Sequence, residues 1–209
     1  MNKMRSAIGV ALVALSLGSI VVQAAPELVT NGGFETNPGS WSVPTGWTGG
    51  LYTFATKPAD AAISSTHGGS FVAGFSAQNS LDYLTQAILP TAAGQAYTFS
   101  FWLTNTAFYL DSKGLGGVNE FTAAWNGVTV FDQTDIAAGG WRQYSFNVVA
   151  TGPSTTISFG GRNKPGYFGL DDVSVQAVTA VPEPGVLGMM LTGLAGIGLL
   201  AGRRKSQRA

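Results

Sequence analysis

The stretch "AYTFSFWLTN" limits what this chain can fold into more than any other. It sets Tyr97, Phe99, Phe101 and Leu103 on one side and Thr98, Ser100, Trp102 and Thr104 on the other. A period of two belongs to a strand with one face in a core. "RQYSFNVVA" repeats the pattern, with Tyr144, Phe146 and Val148 against Gln143, Ser145 and Asn147. "SFVAGF", "FTAAWNGVTVF", "TTISF" and "LDDVSV" read as further short strands, and Asn126-Gly127 marks a hairpin turn. No segment between Pro26 and Val178 sustains a 3.6-residue period, and no internal repeat is visible. Short strands separated by turn residues predict an all-β, two-sheet jelly-roll sandwich over residues 25–180.

The chain has no cysteine, which rules out disulfides, thiolate metal ligands and a thiol nucleophile. Packing, alone or with a metal, must stabilise the domain. The formal net charge of zero hides an asymmetry, because six of the eleven Lys and Arg residues lie in the terminal segments. Between Pro26 and Val178 five basic residues face ten acidic ones, a net of about −5. A nucleic-acid ligand would require a basic face, so that class of partner is disfavoured.

The two ends carry export signals. Lys3 and Arg5 precede an apolar stretch from Ala7 to Val22, and Val22-Gln23-Ala24 supplies small exit residues. That is a signal peptide, residues 1–24, with cleavage after Ala24 and Ala25 as the alternative. At the other end Val186 to Gly202 is a run of 17 uncharged residues, diluted by glycine. As a transmembrane helix it would span about 26 Å, just short of a hydrocarbon core. The basic tail, residues 203–209, begins with Arg203, Arg204 and Lys205 and belongs on the cytoplasmic side. Both basic ends therefore give one topology, in which the domain between them is exported.

Pro182-Glu183-Pro184, the short apolar span and the basic end resemble the PEP-CTERM sorting signal, here residues 181–209. That resemblance implies a Gram-negative-type envelope and an exosortase-type processing enzyme as partner. It also implies delivery to the cell surface or extracellular matrix, after transient membrane anchoring through the C-terminal helix. The two prolines keep the motif extended and accessible. A plain single-span anchor with a Pro-rich stalk is the alternative.

Within the domain, "LVTNGGFET", "HGGSFVAGF", "LTQAILPTAAGQAYTFSFWL", Gly140-Trp141 and "YFGLDDVSV" occur in an order similar to galactose-binding-like jelly rolls. Many carbohydrate-binding modules belong to that superfamily. The resemblance implies a structural calcium ion (Ca2+) shared by Glu35 and Asp171, with Asp172 as an alternative or added ligand. Calcium takes six to eight hard oxygens, which carboxylates and loop carbonyls near Gly33 and the His67–Ser70 loop can supply. Solvated turn residues are the other reading of these acids.

The resemblance also implies a glycan or exopolysaccharide as ligand, since sugar C–H faces stack on aromatic rings. Trp102 is the foremost candidate because it falls on the Ser/Thr face of its strand. Tyr109 and Trp47, with Tyr52 and Tyr167, are loop candidates. Trp41, Trp125 and Trp141 read as core fillers or corner plugs.

Catalysis is not expected. The single histidine, His67, lies in a "STHGGS" turn without a GxSxG elbow. Glu35, Asp82, Glu120 and Asp171 are the acids a glycosidase could use, but most sit at turns or strand ends. "KGLGGVNE" lacks the phosphate-loop spacing. Alternatives to a glycan-binding protein are a structural or adhesion protein with a protein partner and, behind it, a matrix glycan hydrolase.

Overall fold

The computed structural model describes residues 25–60, 63–88, 90–106, 118–163 and 165–178, together with Gly193. The predicted signal peptide, the predicted sorting segment apart from Gly193, and Tyr109 lie outside these residues, and residues 25–180 form one compact unit.

Among the described residues ten strands build two five-stranded sheets: β1 (Thr48–Gly49), β2 (Thr53–Thr56), β3 (Val72–Phe75), β4 (Asp82–Ile88), β5 (Ala96–Thr106), β6 (Glu120–Trp125), β7 (Val128–Thr134), β8 (Gly139–Val149), β9 (Thr155–Arg162) and β10 (Tyr167–Ala177). One sheet runs β1-β4-β9-β6-β7 and the other β2-β3-β10-β5-β8. Each strand pair is antiparallel. The described residues between 25 and 178 thus form the all-β, two-sheet sandwich that the alternating pattern predicts.

The predicted inner faces fill the core. Tyr97, Phe99, Phe101 and Leu103 of β5 are buried, and they meet Phe121, Ile157 and Phe159 from the opposite sheet. Phe101 and Phe159 make an edge-to-face contact at 5.2 Å. The Asn126-Gly127 turn joins β6 to β7 with φ of 48° and 81°, the left-handed pair a two-residue hairpin requires.

The strands β1, β2 and β4 were not among the periodic runs. In β2 all four residues are buried, because its second face lies under the segment ahead of β3. There Phe54, Ile63 and Val72 make a small second cluster, bordered by Trp141 and Tyr167. A strand covered on both sides shows no alternation to read.

Candidate functional site

The C-terminal acidic motif sits on a bulge. Asp171 pairs with Trp102 and Ser174 with Ser100, so β10 carries one extra residue there. Asp172 takes the left-handed conformation, φ 45°, that the bulge demands, while Val173 turns into the core. Val173 N–H donates to Gly32 O at 3.0 Å, which draws the N-terminal motif onto the bulge. A Cβ at Gly32 would overlap the Val173 carbonyl, so only glycine allows this approach.

Both acidic motifs then meet one short loop, residues 67–71, ahead of β3. Glu35 Oε1 accepts the N–H groups of Ser70 and Phe71 at 2.8 and 2.9 Å. Asp171 Oδ2 accepts those of His67 and Gly68 at 2.9 and 3.0 Å, and its Oδ1 accepts Asp172 N–H at 2.8 Å. The ring of His67 meets Asp172, Nδ1 to Oδ2, at 2.6 Å. Three carboxylates therefore hold a five-residue loop to the sheet. Gly69 has φ of +56°, and a Cβ there would overlap Glu35 Oε1.

Asp171 is fully buried, and desolvation raises its pKa to about 6 in spite of its three N–H partners. The donor set suits calcium chemically, since all three acids offer hard oxygens; Glu35 Oε1 and Asp171 Oδ2 each already accept two N–H bonds, whereas Asp171 Oδ1 accepts one and keeps a second lone pair. Among the described residues no three His, Asp or Glu side chains already surround a common point. A bound calcium would thus take Glu35 and Asp171, with backbone carbonyls, as its ligands.

The sugar-face candidates separate. Trp102 is half-buried on the outer side of β5, and the His67 ring stacks on it with centroids 3.7 Å apart and planes 17° apart. Trp141 meets His67 edge-on at 6.0 Å and donates Nε1–H to Ser65 O at 3.2 Å. Trp47 is corrected to a core residue. It is 7% exposed, tilts against Phe34 and Phe159, and donates Nε1–H to Asn31 O at 3.1 Å. Its position between turn residues concealed that packing. Trp125 is core as expected, whereas Trp41, read as a filler, is 53% exposed.

The role of His67 was illegible in the sequence, because its partners lie 35 and 105 residues away. Beside this cluster the outer face of β10, β5 and β8 carries aligned rows. Gln143 lies opposite Trp102, Ser174 and Ser145 flank Ser100, and Gln176 and Asn147 flank Thr98. Gln143, Ser145, Asn147 and Gln176 are exposed, and Thr98, Ser100 and Ser174 half-buried. These seven side chains are neutral hydrogen-bonding groups.

The acids weighed for catalysis all have structural partners. Asp82 accepts Tyr52 N–H at 2.6 Å and Tyr83 N–H at 3.1 Å, and Glu120 Oε2 accepts Arg162 Nε–H at 2.9 Å. Glu35 and Asp171 are engaged by the loop.

No family model and no curated protein matches the sequence. A cyclase from Fischerella sp. TAU, solved in complex with 4-(1H-indol-3-yl)butan-2-one, superposes with a TM-score of 0.56 at 16% identity, over 76% of this chain and 100% of that one. What the two share is the fold. The CBM22-1 xylan-binding domain from Paenibacillus barcinonensis gives 0.47 at 14% identity, over 76% and 99% of the two chains. A carbohydrate-binding module in complex with β-1,4-galactotriose gives 0.48 at 16%, over 74% and 100%.

Proposed function

We propose that residues 25–180 form a non-catalytic glycan-binding module whose ligand lies across the outer face of β10, β5 and β8, beside Trp102. The observation that carries this reading is the register of that face. Its uncharged amides and hydroxyls recur about 4.8 Å apart across the strands and about 7 Å along them. Such a grid matches the spaced hydroxyls of a polysaccharide, and the Trp102–His67 stack gives it an aromatic end. The engagement of all four candidate acids supports a binding role over hydrolysis. Retention on immobilised polysaccharide, competed by the same glycan in soluble form, tests it; capture of a protein partner without sugar competition would favour the adhesion reading instead.

In this proposal the module is exported and sorted to the cell surface or matrix, with exosortase reading Pro182-Glu183-Pro184 before or during release from the membrane. Replacing all three by alanine is expected to leave an unprocessed species with the tail attached, heavier by up to the mass of residues 181–209. Mass spectrometry of the surface fraction checks this, and an unchanged mature C-terminus would remove the sorting claim.

Calcium enters as a structural ion held by Glu35 and Asp171, where it would offset the cost of the buried carboxylate and clamp the loop to both ends of the domain. The expected result is a thermal midpoint several degrees higher in calcium than in chelator, lost in Glu35→Gln. Identical midpoints would exclude it.

A further inference from the structure

The open face is not the only place where this domain presents aromatic rings to solvent. At the strand ends near the start of β2, the end of β3 and the start of β10, two adjoining depressions of about 230 and 360 Å³ share Leu51 and Tyr52. Trp41, Tyr52 and Tyr167 wall the smaller one, with Phe54 among its lining residues. Gln78, Asn79 and Ser80 line the larger.

Trp41 is the unusual member. It is 53% exposed yet adopts φ of +70°, a conformation that bulky side chains rarely take. Two backbone bonds hold it there, Trp41 N–H to Ala55 O at 2.8 Å and Ala55 N–H to Ser42 O at 2.7 Å. Its ring rests on Phe54, centroids 4.5 Å apart, and meets Tyr167 edge-on at 6.5 Å. The chain thus fixes a large ring in a strained backbone conformation and leaves half of it in water. Strain of this kind concentrates at ligand-holding positions. Across the gap, Asp82 accepts the Tyr52 N–H at 2.6 Å and so fixes the turn that carries Leu51 and Tyr52.

From this arrangement we infer a second ligand site, distinct from the open sheet face, that takes a single neutral pyranose residue at the end of a saccharide. The class follows from the lining. A rigid aromatic wall accepts the C–H face of a sugar ring, and the amides and hydroxyl of Gln78, Asn79 and Ser80 suit its hydroxyls. The described lining of the two depressions contains no basic residue, and its one charge is the Asp82 carboxylate, which repels an anionic sugar. A local depression with an aromatic wall suits a chain end, whereas the extended β10–β5–β8 face suits the middle of a chain. The inference stands independently of the open-face reading.

The five tryptophans make the test direct, because each indole N–H gives its own NMR signal. The full domain would be titrated separately with methyl β-D-glucopyranoside, methyl β-D-galactopyranoside and methyl β-D-glucuronide. The expected result is a saturable shift of the Trp41 indole signal with at least one neutral glycoside and none with the glucuronide, while the Trp102 signal stays in place. In Trp41→Ala, affinity for that glycoside should fall at least tenfold; Val128→Ala, exposed at the β6–β7 hairpin and outside both depressions, should retain it. No Trp41 shift with either neutral glycoside would overturn the inference, as would a shift of equal size with the glucuronide. Shifts confined to Trp102 and Trp141 would overturn it too, and would support the open-face reading alone.

Discussion

Asp171→Ala is expected to lower stability by about 4 kcal/mol near pH 4.5 in chelator, and by only about 2 kcal/mol near pH 7.5. Three hydrogen bonds vanish with the carboxyl group, to the N–H groups of His67, Gly68 and Asp172. Each contributes about 1–1.5 kcal/mol, and the donors left behind are partly enclosed. Against this stands the cost of ionising a buried acid. The folded-state pKa of about 6 exceeds the ordinary 3.8, so the ionised group opposes folding by about 3 kcal/mol. That stabilising protonation is fully present below about pH 3.8 and is lost as pH rises through about 6. Between the two conditions the wild type alone therefore loses about 2 kcal/mol, which narrows its lead over the variant. Urea melts at both pH values measure it. A gap that widens towards pH 7.5 would mean that the ionised carboxylate is stabilised in the fold, which is the behaviour expected of a bound cation. Repeating the series in calcium separates the two cases.

Trp102→Ala should reduce retention on the cognate polysaccharide by at least tenfold while costing about 1–2 kcal/mol of stability. The binding loss follows from removal of the aromatic end of the polar grid, since a stacked aromatic is the kind of contact that dominates recognition. The stability cost comes from the His67 ring, which loses its stacking partner at 3.7 Å. Ser145→Ala, exposed in the adjoining row, is expected to weaken retention without moving the melt. A Trp102→Ala protein that unfolds, or one that binds as before, would each remove Trp102 from the ligand site. Affinity electrophoresis through the glycan, run beside a thermal melt, distinguishes these outcomes.

The contrast between Trp102 and Trp47 shows where sequence reading succeeded. Trp102 lies in a regular strand, so its side was fixed by counting from Tyr97 and Phe99, and the structure places it on the outer face. Trp47 lies in a stretch of turns, where no period assigns a side, and it is buried against Phe34 and Phe159. Trp41 fails in the opposite sense. Its exposure follows from a backbone bond to Ala55 that no local pattern announces.

The sequence alone determined the all-β architecture, the inner faces of β5 and β8 and the hairpin at Asn126-Gly127, because a period of two and a left-handed turn are local properties of the chain. It also supplied the two acidic motifs and their types of atom. Only the tertiary structure decided that both motifs close on the 67–71 loop and that Asp171 is buried under it. It also set His67 on Trp102 and aligned the neutral side chains of three strands into one face. Those relations join residues from distant parts of the chain, and they depend on sheet order, on the bulge at Asp172 and on packing, none of which is encoded in any single stretch.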